Sequence, residues 1–416
     1  MTTTFVVHYA EVALKGKNRP EFVRTLRRNL TRALAGMGPE IEHREGRLVV
    51  AAEGPEEEIA RRIGSTFGVA WFSPASFVEN DLQKMRSAVL EMAKGSHGRS
   101  FKVEVRRSDK SFPMRSQEIA ADIGAEVAKQ TGMKVNLTDP EVAFHLDVTK
   151  GRTVVYGGKR AGPGGLPVGT SGRVMLLFSG GIDSPVASWL LMKRGCIPVY
   201  LHFYLAPSPL AALDSKITRL VKVLSAHGGK STLVLVPFAE YQLATTGKAD
   251  ELEPSLFRRF MRMTSEALAP WFGANAIGTG DSLSQAASQT LWNLASFDSG
   301  STLPVLRPLL TFDKEEIVAL AREISTYELS LGEYKDCCAI ITRHPKTRVR
   351  ADAISEAVES LGLRELVREV IDRSTLVTFN PATDELKSAP LADSMALHPL
   401  THSGQGRFMK GEKSPQ

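Results

Sequence analysis

Short apolar runs recur through the second half of this chain, separated by stretches in which apolar residues return every three or four positions. Residues 174–178 (Val-Met-Leu-Leu-Phe) are unbroken hydrophobe, the pattern of a strand buried on both faces of a parallel sheet. Residues 197–205 give a second such strand and residues 232–236 a third. Val186, Trp189 and Leu190 recur at i, i+3 and i+4, with Gly195 placed to stop that helix. Ile217, Leu220, Val221 and Leu224 stripe another helix, closed by Gly228. A helix from about Pro254, a strand ending near Thr279-Gly280-Asp281, and a helix from Asp313 with Glu316 as capping partner continue the alternation. The pattern predicts an α/β domain with a doubly wound parallel sheet, whose ligand lies beyond the strand C-termini.

The first half reads differently. Residues 5–9 make a short strand, and residues 21–35 a helix with Phe22, Leu26, Leu30 and Leu34 on one face. Leu82, Met85, Val89 and Met92 form one helical stripe; Ile119, Ile123 and Val127 form another. Val103-Glu104-Val105 alternates like a half-buried strand, and residues 142–148 and 153–156 resemble a closing strand pair. Glycine and proline crowd residues 157–169, which predicts an interdomain linker. Beyond about Asn380 the chain turns to Pro, Ser and Gly, and a loosely ordered tail is expected.

Charge adds to this division. Residues 1–160 carry 26 Lys and Arg against 20 Asp and Glu, whereas residues 161–416 carry 26 of each, so the whole excess of +6 is N-terminal. From Lys15 to Arg32 the bases Lys15, Lys17, Arg19, Arg24, Arg27, Arg28 and Arg32 face the single acid Glu21. Phosphate contact explains this run better than solubility does. No aromatic cluster spaced for base stacking is evident, so recognition of a polyanion by its shape and backbone is expected. No apolar run is long enough for a membrane span, the start lacks a signal-peptide layout, and three cysteines are too few for a disulfide framework. A cytoplasmic protein is the expectation.

The stretch around which the chain is organised is Ser179-Gly180-Gly181-Ile182-Asp183-Ser184, which follows the first buried strand. Its glycines let backbone N–H groups approach an anion; Ser184 before Pro185 reads as an N-cap, and the helix dipole favours phosphate. No Gly-Lys-Ser/Thr follows, so this is not a Walker A loop. It resembles the PP-loop of ATP pyrophosphatases, which split ATP between the α and β phosphates and adenylate a substrate oxygen.

Further motifs narrow the resemblance. Residues 9–19 (Tyr-Ala-Glu-Val-Ala-Leu-Lys-Gly-Lys-Asn-Arg) are similar to the opening signature of the tRNA 4-thiouridine synthetases, tRNA sulfurtransferases also linked to thiamine thiazole synthesis. Residues 67–75 and 101–113 resemble the RNA-binding THUMP domain of that family. Gly280-Asp281-Ser282-Leu283-Ser284-Gln285-Ala286-Ala287-Ser288-Gln289-Thr290 matches another signature, with Asp281 for the usual Glu and Ser284 for a usual Gly; a changed local turn is expected at Ser284. Tyr334-Lys335-Asp336-Cys337-Cys338 matches its sulfur-handling segment.

The resemblance implies a ferredoxin-like domain at residues 1–55, a THUMP domain at 56–162, a linker at 163–172, a PP-loop domain at 173–375 and a tail at 376–416. It implies an ATP site at Leu177, Phe178, Ser179, Gly180, Gly181, Asp183, Ser184, His202, Phe203, Arg258, Gly280 and Gln289. Asp183 is assigned a Mg²⁺-linked role, since a carboxylate beside phosphates otherwise repels them. His202 reads equally well as a packed core histidine. Lys15, Lys17, Arg19, Arg106, Arg107, Lys110 and Arg115 are the implied RNA contacts. Cys337 aligns with the cysteine that handles sulfur; Cys338 or Cys196 is its candidate disulfide partner, and Cys196 reads better as a small buried hydrophobe. Some members carry a C-terminal rhodanese domain with its own persulfide cysteine; no cysteine follows Cys338 here, so a form without that domain is the expectation. Expected partners are tRNA and a cysteine desulfurase or other persulfide donor, with a homodimer open and no membrane. The implied activity adenylates a tRNA uridine at O4 and replaces that oxygen with sulfur. An amidating PP-loop ligase and a tRNA-binding protein with decayed ATP chemistry are the alternatives.

Overall fold

The computed structural model describes residues 2–9, 11–206, 208–213, 215–248, 252–333, 337 and 346–397. The chain divides into two compact units, with the break between Gly165 and Leu166.

In the first unit, β1 (Thr2–His8) leads through two short 3-10 turns into α1 (Arg19–Ala33). The hairpin β2 (Glu40–Arg44) and β3 (Arg47–Glu53) follows, then α2 (Glu56–Gly64) and β4 (Trp71–Glu79). Next come α3 (Leu82–Lys94), β5 (Ser100–Arg107), α4 (Ser116–Thr131), β6 (Lys134–Val135), β7 (Val142–Val148), β8 (Arg152–Gly157) and β9 (Arg160–Ala161). One nine-stranded sheet runs β2-β3-β1-β4-β8-β7-β5-β6, with β9 on β4. β4 is shared: Trp71 to Pro74 pair with β1, and Ala75 to Glu79 pair with β8. Pro74, which has no N–H for a ladder, sits where β4 changes partner.

Two cores lie against this sheet. Leu26, Leu30 and Leu34 of the α1 segment meet Ile59 and Ile63 of α2 over β1 and β3. The expected boundary at residues 55/56 therefore runs through a single core. Met85 and Val89 of α3 meet Ile119, Ile123 and Val127 of α4 over β5, β7 and β8. The expected linker is ordered at both ends. Gly164 N donates to Val69 O (2.8 Å), and Gly169 N donates to Gly195 O (2.8 Å), because backbone groups this close to a surface still need partners.

The second unit contains β10 (Arg173–Leu177), α5 (Asp183–Lys193), β11 (Ile197–Tyr204), α6 (Pro209–Leu213), α7 (Lys216–Gly228) and β12 (Ser231–Pro237). There follow α8 (Ala239–Thr245), α9 (Glu253–Phe272), β13 (Ala274–Gly278), α10 (Leu291–Asp298), β14 (Val305–Leu306), α11 (Lys314–Glu323) and α12 (Tyr327–Leu331). α13 (Ala351–Ser360), α14 (Leu363–Asp372), β15 (Thr375–Asn380), β16 (Glu385–Pro390) and α15 (Leu391–Leu397) complete it. The sheet order is β14-β13-β10-β11-β12-β15-β16, parallel from β14 to β12. Met175, Leu201, Phe203 and Val234 point into a core with α9 and α14, while Tyr200 faces α5, its hydroxyl 3.0 Å from Ser188 Oγ. Helices thus cover both faces, as the unbroken apolar strands require.

The C-terminal expectation is corrected. Residues 375–390 are an antiparallel hairpin added to β12, and Leu391 is buried in the main core. Val377 and Phe379 alternate with half-buried partners, so the hairpin carries its own period-two signal beneath a Pro- and Ser-rich composition. Residues 398–416 lie outside the described residues.

Candidate active site

β10 is central, and the chain leaves it to β11 and β12 on one side and to β13 and β14 on the other. The strand order therefore reverses beside β10, where a doubly wound sheet opens a crevice at its C-terminal edge. A cleft of about 300 Å³ lies there, walled by the ends of β10 and β11, the turn after β13, α9 and the loop before α10. Every residue expected around ATP lines it except Gly180 and Gly181, which make the turn itself. Cys337 lines it as well. Pro254, Phe257, Met261 and Phe203 add an apolar wall.

The turn is built by close approach. α5 begins at Asp183, so Ser184 lies inside the first turn rather than at the N-cap, and Pro185 still costs no intrahelical bond. A Cβ on Gly280 would stand 3.0 Å from Ser184 N, so a side chain there would press on the backbone of this helix start, and glycine lets the turn after β13 come up to it without a shift. A Cβ on Gly180 would meet Ile217 Cδ1 at 2.7 Å and Lys216 Cε at 2.8 Å. The PP-loop is thereby wedged between α7 and the β13 turn.

Charges surround it in pairs. Asp183 Oδ1 is 2.8 Å from Lys314 Nζ, and Gln285 Nε2 donates to Asp183 Oδ2 at 3.3 Å. Arg258 forks onto Asp281 (2.8 and 2.7 Å), which also accepts from Thr279 Oγ1 (2.8 Å) and Arg307 Nε (3.2 Å). Burial alone would raise the Asp281 carboxyl, but the Arg258 guanidinium, its hydrogen bonds and Arg307 hold it down at about 2. Both arginines pack on the Phe297 ring, at 4.9 and 5.6 Å. His202 is fully buried, with Nδ1 2.7 Å from Phe178 O, which fixes the ring against the strand that enters the loop. Ser284 holds φ +63°, in the left-handed region that glycine takes freely and an L residue adopts at a cost.

The residues present fit a nucleotide. Gln289 lines the cleft, and its Oε1 is buried without a hydrogen-bond partner, so an N–H or O–H of a bound nucleotide would satisfy it. For Mg²⁺, Asp183 is the carboxylate at the helix start. Among the described residues no group of three or more His, Cys, Asp or Glu is placed to hold a metal. One carboxylate with phosphate oxygens and water is a usual Mg²⁺ shell.

Against known proteins, a family described as "Thiamine biosynthesis protein (ThiI)" matches residues 169–363, its ferredoxin-like domain residues 4–73, and the THUMP domain residues 79–157. A probable tRNA sulfurtransferase of Moorella thermoacetica is 38% identical over 388 residues, covering 92% of this chain and 100% of that protein. The chain belongs to the tRNA sulfurtransferase family. A second relative of that description, from Geobacillus kaustophilus, is 39% identical over 89% of this chain and 95% of its own length. A crystal structure of a 4-thiouridine synthetase–RNA complex with bound ATP superposes with a TM-score of 0.83 at 32% identity, covering 91% of this chain and all of that one.

Family membership turns attention to sulfur and RNA. Cys337 is buried, and its Sγ lies 3.5 Å from Phe203 O, at the C-terminal end of β11. Cys196 precedes the first residue of that strand, roughly 20 Å away along a seven-residue rise. A disulfide needs Cα atoms within about 7 Å, so the fold does not bring Cys196 to Cys337. Burial pushes the Cys196 thiol up, which suits an inert core residue. Tyr334, Lys335, Asp336 and Cys338 lie outside the described residues.

The basic residues fall into two groups in the first unit. Lys17 and Arg19 are exposed where α1 begins, and Lys15 lies over the Phe22 ring at 5.2 Å. Arg106, Lys110 and Arg115 are exposed around the loop after β5. Arg107 instead braces that loop, donating to Met114 O and Lys110 O. The structure also assembles an aromatic stack that the sequence spacing hides: His8 on Trp71 (3.9 Å), Trp71 on Tyr156 (5.7 Å) and Tyr156 on His145 (5.0 Å). Tyr156 and His145 are buried, so most of this stack is sheet packing. Among the described residues no helix is long and apolar enough to cross a membrane.

Among the charged groups at the site, sequence reasoning missed Lys314, which pairs with Asp183, and Arg307, which reaches Asp281. Lys314 opens the helix whose capping box was legible, so its place beyond the strand ends was the available signal.

Proposed function

We propose that this chain is an ATP-dependent tRNA sulfurtransferase that converts a tRNA uridine to 4-thiouridine. One observation carries the reading: a single cleft unites the PP-loop and Cys337. Nucleotide phosphates meet the backbone of Ser179–Ser184 and the start of α5, while adenine lies toward Phe203, Phe257 and Gln289. Lys314 and Gln285 hold the Asp183 carboxylate at the phosphates, where it would hold Mg²⁺, a cation that would offset negative charge on the pyrophosphate. Arg258, kept in place by Asp281, presents its guanidinium to the same cleft. The uridine O4 attacks the α-phosphate, pyrophosphate departs, and the base is left as a good electrophile at C4. Sulfur from a persulfide on Cys337 then displaces AMP, because a persulfide outcompetes water as nucleophile. The uridine C4 is then joined through an S–S bond to Cys337; a second thiol attacks the Cys337 sulfur, 4-thiouridine departs as its thiolate, and the disulfide left on Cys337 is reduced by an external thiol.

The first unit supplies tRNA affinity through Lys15, Lys17, Arg19, Arg106, Lys110 and Arg115. A cysteine desulfurase or other persulfide donor charges Cys337. The same persulfide is competent to serve thiamine thiazole synthesis. The deciding experiment is pyrophosphate release from ATP with and without tRNA, alongside nucleoside analysis for 4-thiouridine. Release that depends on tRNA is expected, and Asp183→Ala abolishes it. Release indifferent to tRNA, or tRNA left unmodified in the presence of a persulfide donor and a thiol reductant, overturns the proposal.

A further inference from the structure

Trp292 is 58% exposed, a high value for the largest side chain, and its neighbour Leu291 is 67% exposed. Both belong to the first turn of α10, whose N-cap Thr290 follows the cleft residue Gln289. Trp292 is three residues from the cleft wall, at most about 11 Å along the chain. The guanidinium carbon of Arg348 lies 3.8 Å from the centroid of its ring.

This pair is mounted on a fixed backbone. Thr290 Oγ1 donates to Thr347 O (2.6 Å), Asn293 Nδ2 donates to Lys346 O (3.0 Å), and Val349 N donates to Asn293 Oδ1 (2.9 Å). Val349 is itself buried. Residues 346–350 contain Lys346, Arg348 and Arg350 and no acid; Arg350 pairs with Asp352. An exposed indole beside a cationic segment complements a polyanion that carries flat bases, not an acidic or apolar protein surface.

We propose that Trp292 and Arg348 form a stacking platform for a nucleobase adjoining the uridine held in the cleft. The inference rests on the function proposed above. A uridine that reaches a cleft of this size leaves its base stack, and the neighbouring base loses a partner. The indole face replaces that partner, and Arg348 offers a charge to the adjoining phosphate.

The experiment uses the full chain and tRNA-dependent pyrophosphate release, which involves no sulfur donor. Trp292→Ala is expected to lower kcat/KM for tRNA about 10-fold to 100-fold. Trp292→Phe restores most of it, and ATP affinity and thermal stability stay unchanged. Arg348→Ala lowers kcat/KM for tRNA and reduces its salt dependence. Independently of turnover, tRNA quenches Trp292 emission, read as the difference between wild type and Trp292→Phe. This quench separates the contact from the chemistry: wild type that releases no pyrophosphate but shows it defeats the function and leaves the platform standing. Unchanged kcat/KM for tRNA in Trp292→Ala, or no Trp292 quench, overturns the platform. So does a parallel loss of ATP affinity, which would mean action through Gln289. A defect seen only with a protein persulfide donor assigns the surface to that donor and overturns it too.

Discussion

Arg258 and Asp281 meet through two parallel hydrogen bonds of 2.8 and 2.7 Å at the cleft beyond β10, with the carboxylate almost wholly buried. Arg307 reaches the same carboxylate and also binds Asp298, so an alternating chain of charges ties α9 to the turn after β13 and to α10. Such a pair costs desolvation and is sustained by its geometry. Its function is placement: the Arg258 guanidinium is held at the cleft wall.

Removing the carboxylate leaves two guanidinium groups facing each other in a buried site. Asp281→Asn is expected to destabilise the second unit by about 3–5 kcal/mol at neutral pH. The Asp281 pKa is depressed to about 2, so its contribution is complete above the ordinary carboxyl range near 3.8 and is lost as pH falls toward 2. Thermal unfolding of wild type and variant between pH 2 and 5 checks this; a gap that widens in acid contradicts it.

Ser284 pays a conformational cost at φ +63° that glycine avoids. Ser284→Gly is expected to stabilise the protein by about 0.5–1 kcal/mol, the left-handed penalty less the extra entropy of glycine in the unfolded chain. Denaturant unfolding measures it, and destabilisation would show that the serine side chain holds the turn.

The two described cysteines have opposite expectations. Cys337→Ser loses multiple-turnover thiolation while tRNA-dependent pyrophosphate release persists, because no thiol takes part in phosphate chemistry. Cys196→Ser leaves both unchanged, as that thiol lies at the far end of β11. Thiouridine and AMP followed side by side for both variants decide it; full thiolation by Cys337→Ser refutes its role as carrier.

Residues 1–165 form one of the two compact units and contain the whole positive excess of the chain. Expressed alone, they are expected to bind tRNA with an affinity that falls steeply with salt, since each phosphate contact releases counterions. Filter binding at several salt concentrations tests this. Binding confined to residues 166–416, or indifferent to salt, counts against it.

Much of this protein was legible from the chain alone. The strand, turn and helix of the PP-loop, the striped helices of the first unit and the Asp313–Glu316 capping box are written in neighbouring residues. Periodicity and caps act over one or two turns, so the sequence by itself determined those elements. The motifs also pointed to an ATP site and to the family. Tertiary structure alone decided which distant segments meet. Lys314 reaches Asp183 across 131 positions, and Arg307 reaches Asp281 across 26. The same holds for the hairpin at residues 375–390, which joins β12, and for the separation of Cys196 from Cys337. These depend on strand order and register, which a local pattern does not encode: a buried charge finds its partner only after the sheet has fixed both ends.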